Sequence, residues 1–281
     1  MKRVIFCADD FGLDPAVNAA VEEAHRHGVL STASLMVGAP AAADAVARAR
    51  RLPNLHVGLH LVLVDGHALS PAVEVAGLVN GAGRFDPNMA RAGVRFFFDP
   101  RSRRALAREI RAQFKAFHAT GLRLDHVNAH KHFQLHPTVA RLIVRIGAEF
   151  GMKAMRVPAE PATALRAAYP DERVPALLYR PWVERLRRHF RRAGLAVNDH
   201  VFGLRWSGNM DEKRLLRLLP FLPEGVSEIY FHPATRQTPA LAAAMPGYRH
   251  ADELAALLSP AVRRQVEMLG LTLTSYSDLP A

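Results

Sequence analysis

Val4-Ile5-Phe6-Cys7-Ala8-Asp9-Asp10-Phe11-Gly12 is an apolar run that ends abruptly in two adjacent carboxylates. Its β-branched and aromatic residues predict a buried strand, because such side chains pack well on a pleated surface. Charge seldom ends a buried strand without a partner, and Gly12 lets the backbone turn sharply there. Strand alternation sends neighbouring side chains to opposite faces, so the chain must leave the sheet near Asp9 and Asp10 if both serve one site. A cation would relieve their mutual repulsion; capping of the following helix is the alternative reading of the pair.

Working outward, similar short runs recur at 33–37, 57–63, 122–128, 153–157, 201–204, 228–231 and 271–275, with helical stretches between them. About eight strands alternating with helices predict an α/β fold, a TIM-like (β/α) barrel of parallel strands, irregular or incomplete, with surrounding helices. Asp14 as N-cap, Pro15, the apolar face of Val17, Ala20, Val21 and Ala24, and Gly28 as a stop mark the first helix. Further helices are expected near 40–52, 103–120 and 137–150. With 281 residues, 49% of them hydrophobic, the chain can bury one large core, so a single domain over 1–281 is expected. The connection 65–98 is too long for an ordinary loop and reads as a functional insertion or lid.

The formal net charge of +11 gathers in two segments, Arg101 to Lys115 and Arg180 to Arg192. Both carry helical apolar spacing rather than the interleaved aromatic and basic residues of a single-strand binder, so no nucleic-acid partner is expected. Trp182, Val183, Leu186 and Phe190 form a stripe beside five arginines, the pattern of a helix lying on anionic lipid or of a packed surface helix with a solvated edge. Cys7 is the only cysteine, which excludes a disulfide framework and a thiolate zinc cluster. The N-terminus reaches Asp9 before it supplies an apolar signal region, and a cytoplasmic protein, peripheral at most to the inner membrane face, is expected.

Chemistry-bearing residues lie elsewhere at strand ends. His60 sits in the apolar run Val57-Gly58-Leu59-His60-Leu61-Val62, as a metal ligand or as a core histidine bonded to a carbonyl. Asp125-His126-Val127-Asn128-Ala129-His130-Lys131-His132-Phe133-Gln134-Leu135-His136 packs four histidines between a strand and a helix, and His130 and His132 share a face if the segment stays extended. One aspartate and two neutral imidazoles would make a three-ligand site with coordination positions left open for water and substrate. His232, in Phe231-His232-Pro233-Ala234, stands where a general acid could be, and Arg156 is assigned to substrate hydrogen bonding. No P-loop, dinucleotide fingerprint, nucleophile elbow or His-Glu-x-x-His helix is present.

Ala8-Asp9-Asp10-Phe11-Gly12, Gly58-Leu59-His60-Leu61, Asn128-Ala129-His130-Lys131-His132 and Phe231-His232-Pro233-Ala234 together resemble the YdjC-like carbohydrate deacetylases. Ala33-Ser34-Leu35-Met36-Val37, Ala92-Gly93-Val94-Arg95-Phe96-Phe97-Phe98 and Asn198-Asp199-His200-Val201-Phe202-Gly203 resemble most closely the hopanoid-biosynthesis-associated members. The resemblance implies a distorted (β/α) barrel, one divalent ion on Asp10, His60 and His130, and Asp9 as catalytic base. Two imidazoles favour zinc, with magnesium the alternative. It also implies an N-acetylglucosamine-type substrate, lipid-linked as an acetylglucosaminyl hopanoid, with soluble chito-oligosaccharides as the alternative and a non-catalytic basic binding module as the competing class. His232 is expected to act as general acid, with His132 the second choice; Arg156, His132 and Asn128 are expected to contact substrate. Phe96-Phe97-Phe98 either lines a channel for an apolar aglycone or is core. The family at large has Asp-Ser-His at the third motif, so Asn128-Ala129-His130 lacks a carboxylate and a hydroxyl, and Asn128 can orient a neighbour only by hydrogen bonding.

Overall fold

The computed structural model describes residues 1–172 and 180–280. Its strands, in chain order, are β1 (Lys2–Phe11), β2 (Thr32–Leu35), β3 (His56–Leu61), β4 (Leu124–Ala129), β5 (Ala154–Met155), β6 (Ala196–Val197), β7 (His200–Phe202), β8 (Gly225–Phe231) and β9 (Thr272–Leu273). Eight lie side by side as β6-β5-β4-β3-β2-β1-β8-β7, with every pairing parallel, and β9 pairs with the start of β1. This is a curled, TIM-like half-barrel of α/β type, as the alternation of strands and helices predicts. The unforeseen strand is β6, whose two residues are too few to carry a periodicity.

The edge strands β6 and β7 are consecutive in the chain, joined only by Asn198-Asp199, yet stand at opposite ends of the strand order. The sheet must therefore curl until its edges are two residues apart. A side chain bridges that seam where no ladder does. Asn198 accepts from the Val157 N–H at 2.7 Å and donates to the carbonyls of Val157 and His200 at 2.8 and 2.9 Å.

Alternation along β1 separates two cores. Val4, Phe6 and Ala8 join the large apolar layer beneath the helices, while Ile5 and Cys7 face a small interior cluster with Val226, Tyr230 and Tyr276. The first helix, Pro15–His27, starts as expected: the Asp14 carboxylate accepts from the Ala16 N–H at 2.8 Å, and the Gly28 N–H closes on the Ala24 carbonyl at 2.9 Å.

The 65–98 connection is more ordered than a bare loop. Its last part is a helix, Met89–Phe98, capped by Asn88, and Asp99 caps the next, Pro100–Ala119. Glu109, buried in that second helix, accepts from the N–H groups of Leu69 and Ser70 at 2.9 Å each, and Val75, Leu78, Phe85 and Phe96 are buried. Phe97 and Phe98, 48% and 70% exposed, are outside the core. The basic helix Arg180–Arg192 buries Val183, Leu186 and Phe190 in the protein, and the Trp182 indole donates to the Leu135 carbonyl at 2.8 Å. Val183, Leu186 and Phe190 of its apolar stripe are thus part of the core and not free to enter a lipid surface, and Trp182 alone of the stripe is exposed. No described helix is long and apolar enough to cross a membrane.

Asp14 also accepts from the Thr238 hydroxyl at 2.8 Å, tying the first helix to a distant loop. Asp14→Ala is expected to destabilise the fold by about 1–2 kcal/mol, read as a lowered urea midpoint at unchanged slope.

Candidate metal and catalytic site

Both carboxylates of β1 reach one site because the strand breaks its own alternation. Pairing with β2 slips between Ala8 and Phe11, and Asp10 has φ +60°, a left-handed conformation that aspartate tolerates better than most residues. Asp9 continues the inward face of Ile5 and Cys7; the twist at Asp10 turns the second carboxylate to the same mouth. There its Oδ1 lies 3.2 Å from His60 Nε2 and 3.4 Å from His130 Nδ1, and these two ring nitrogens are 3.4 Å apart. His60 is near the end of β3, and His130 directly follows β4.

Neighbouring bonds determine what these atoms offer. Asn128 Oδ1 accepts from His60 Nδ1 at 2.7 Å, because the Asn128 Nδ2 donates to Asp9 Oδ1 at 3.0 Å and to Ser34 Oγ at 2.9 Å. The His60 proton is therefore on Nδ1 and the lone pair of Nε2 points at Asp10. Neither oxygen of Asp10, 1% exposed, has a hydrogen-bond donor. A buried carboxylate without donors is costly, at about 1–3 kcal/mol or more per unmet group. One carboxylate oxygen and two ring nitrogens, all within 3.4 Å of one another, are a donor set that suits a divalent cation.

Charge points the same way. Arg156 is shared between Asp9 and Glu228, and among the described residues buried Asp10 is paired with no Lys or Arg, only with His60 and His130. Burial alone would lower the His60 pKa, but Asp9 and Asp10 outweigh it and raise it, the response of a site that attracts positive charge. A second convergent set, Cys7, His126 and Glu228, differs. His126 is bonded at both nitrogens, to Asp125 Oδ2 at 2.9 Å and Ser34 Oγ at 3.0 Å, and Glu228 accepts from Arg156 and Tyr276. Burial, with Glu228 and Asp9 nearby, keeps the Cys7 thiol protonated.

Asp9 is held by Arg156 through two bonds, Nη1 to Oδ2 at 2.5 Å and Nη2 to Oδ1 at 2.9 Å. Burial raises its pKa, yet Arg156 and then His60 overcome this and leave Asp9 well below the usual carboxylate range. It is ionised at neutral pH.

Two expected substrate contacts are placed otherwise. Arg156 has no exposed surface, and its remaining bonds go to Glu228, Nε at 2.9 Å and Nη2 at 2.7 Å, so its guanidinium is taken up by two carboxylates of the protein. Asn128 is equally buried and joins Asp9 to His60. His132 does not share an extended face with His130, because Lys131 and His132 are both left-handed, with φ of 53° and 54°. Its Nε2 lies 3.2 Å from the Tyr230 hydroxyl, and burial, followed by the Arg156 charge, pulls its pKa down to about 3. At neutral pH its ring is therefore the neutral imidazole. His232 is partly buried just past β8 with Nδ1 unpartnered, and its backbone is clamped: N–H to Glu253 at 2.5 Å, carbonyl to His250 Nδ1 at 2.6 Å. Burial lowers its pKa against the opposing pull of Asp10 and Asp9.

Glu228, Ser34 and Tyr230 were not singled out in the sequence. The one signal available was the alternation Glu228, Tyr230, His232 along β8, a polar face inside an apolar strand.

The profile of the YdjC-like protein family matches residues 3–268. The carbohydrate deacetylase of Vibrio vulnificus (strain YJ016) is 32% identical over 277 residues, covering 99% of this chain and 96% of its own. That of Brevibacillus brevis (strain 47) is 29% identical over 277 residues, covering 99% of both. Among solved structures, a candidate cellobiose-phosphate cleavage protein from Enterococcus faecalis V583 superposes with a TM-score of 0.79 at 24% identity, over 100% of this chain and 99% of its own, and shares its fold. On the match along nearly its whole length, the chain belongs to the YdjC-like protein family, with carbohydrate deacetylases among its relatives.

Proposed function

We propose that the chain is a metal-dependent carbohydrate deacetylase, a hydrolase that cleaves the amide C–N bond of an N-acetylated sugar. The observation that carries this is the convergence of Asp10, whose buried oxygens have no donor, with His60 and His130, beside an ionised Asp9 locked by Arg156. Full-length kinship to carbohydrate deacetylases supports the sugar amide as substrate.

Asp10, His60 and His130 would hold the ion, and two imidazoles with one carboxylate favour zinc over magnesium. A divalent ion bound there supplies Lewis acidity, polarising the acetyl carbonyl and acidifying water. Asp9 accepts the proton of the attacking water, and Arg156 and Asn128 keep its carboxylate ionised and aimed. As the carbonyl carbon takes the water oxygen and the C–N bond breaks, the nitrogen must gain a proton. His232 donates it: its Nδ1 is free, and burial makes its imidazolium a stronger acid. Acetate and the free amino sugar leave.

For the substrate beyond the sugar, the reading is a lipid-linked N-acetylglucosaminyl group of hopanoid type. Supporting it are the resemblance of segments 33–37, 92–98 and 198–203 and the exposed Phe97–Phe98 pair, with ring centroids 4.9 Å apart. Peripheral membrane contact, on this reading, involves Phe97, Phe98 and exposed Trp182 instead of the buried stripe of its helix.

Asp9→Asn should retain the cation by elemental analysis while losing about 10²–10⁴-fold in acetate release; normal turnover would exclude Asp9 as base. His130→Ala should lose both, and metal content equal to wild type would refute the ligand assignment. Acetate release should be faster from an N-acetylglucosaminyl hopanoid than from soluble chito-oligosaccharides, and salt-sensitive sedimentation with anionic vesicles should fall in a Phe97→Ser/Phe98→Ser variant. The reverse substrate preference would remove the lipid-linked reading.

A further inference from the structure

The half-barrel interior contains an unusual number of polar groups for a space that apolar branched side chains ordinarily fill. Ser34 of β2, His126 of β4, Glu228 of β8 and Arg156 just past β5 are bonded into two chains that both end at the catalytic mouth and both begin at the opposite end of the barrel. Their common origin is the short segment Ser275–Asp278, which follows β9 and lies at the strands' N-terminal ends: β9 pairs with Arg3 and Val4, and Ser277 touches His56 and Asp125 at the starts of β3 and β4.

From Ser277, the backbone N–H and the hydroxyl both donate to Asp125 Oδ1, at 2.9 and 2.5 Å. Asp125 Oδ2 then engages His126 Nδ1, His126 Nε2 meets Ser34 Oγ, and Ser34 Oγ accepts from the Asn128 amide that bonds Asp9 and orients His60. From Tyr276, the hydroxyl lies 2.6 Å from Glu228 Oε2, and Glu228 in turn fixes the guanidinium that grips Asp9. The Tyr276 ring also stacks on His126, with centroids 4.6 Å apart and planes at 22°. Gly58 also borders that imidazole, and a Cβ there would come within 2.4 Å of the ring, so His126 requires a glycine at that position. Ser275 stabilises the segment through a capping box with Asp278.

The geometry points to Tyr276 and Ser277 as positioning residues for the site at the other end of the barrel, Tyr276 acting on the base through Glu228–Arg156 and Ser277 on both base and His60 through Asp125–His126–Ser34–Asn128. These residues lie beyond the 3–268 span matched by the family profile. The inference rests on the proposed function for its catalytic part, while its effect on cation binding can be read without turnover.

The experiment compares wild type with Tyr276→Phe, Ser277→Ala and Ser277→Thr, the last retaining the hydroxyl. Zinc affinity is measured by competition with a chromophoric chelator, kcat and KM by acetate release, and folding by thermal melts. Ser277→Ala should weaken zinc binding by about 3–10-fold and lower kcat, with Ser277→Thr close to wild type, since outer partners of a metal-bound histidine commonly contribute at that scale or above. Tyr276→Phe should lower kcat by about tenfold at unchanged KM while zinc affinity stays near wild type. Wild-type kcat and zinc affinity in both variants would overturn the inference. So would losses of rate and of zinc affinity that vanish when both are expressed per folded molecule. If wild type releases no acetate, the deacetylase reading fails, and weaker zinc binding in Ser277→Ala would still uphold the Ser277 chain.

Discussion

Arg156 lies wholly inside the half-barrel, between Asp9 on the mouth side and Glu228 deeper in the strand layer. A guanidinium taken out of water is tolerable only when its planar set of donors is matched, and here two carboxylates match it through four bonds. That match has consequences in both directions. Towards the mouth it keeps Asp9 ionised and rotationally fixed; towards the interior it demands a second carboxylate, which in turn takes the Tyr276 hydroxyl. Removing Arg156 would leave two buried carboxylates without their shared cation, so it is the member on which the other two depend.

Asn128 is the complement to this ion pair. An amide at position 128 can accept from His60 and donate to Asp9 at once, whereas a carboxylate would face Asp9 with like charge at 3.0 Å. Arg156 and Glu228 already supply the charges of the interior, and the neutral amide fits between them and the acceptor set. The excess of negative charge then concentrates on Asp10, whose two oxygens have no donors.

Much of this was legible in the residues. Asp9-Asp10, His60 and His130 stood out as polar groups at the ends of apolar runs, and parallel strands share one mouth, so their convergence followed from fold class alone. Arg156 and Asn128 read, in the sequence alone, as substrate contacts. Nothing in their local sequence says that a neighbour 147 or 119 positions away would take up their donors. The helix Met89–Phe98 was hidden by Gly93 and by a pattern too short for periodicity, and the stripe of Trp182, Val183, Leu186 and Phe190 reads identically whether its apolar face meets lipid or core.

By itself, then, the amino-acid order determined which residues have chemistry to offer and that a parallel α/β barrel would gather them, because apolar periodicity and turn residues are local properties. Only the tertiary structure decided what each does. The left-handed twist at Asp10 turns its carboxylate to the side of Asp9; the inward face of β8 gives Arg156 a second partner; and the segment after β9 is connected through the interior to the mouth. Those outcomes depend on which buried donors find which acceptors across distant strands, and that pairing has no trace in the neighbourhood of any one residue.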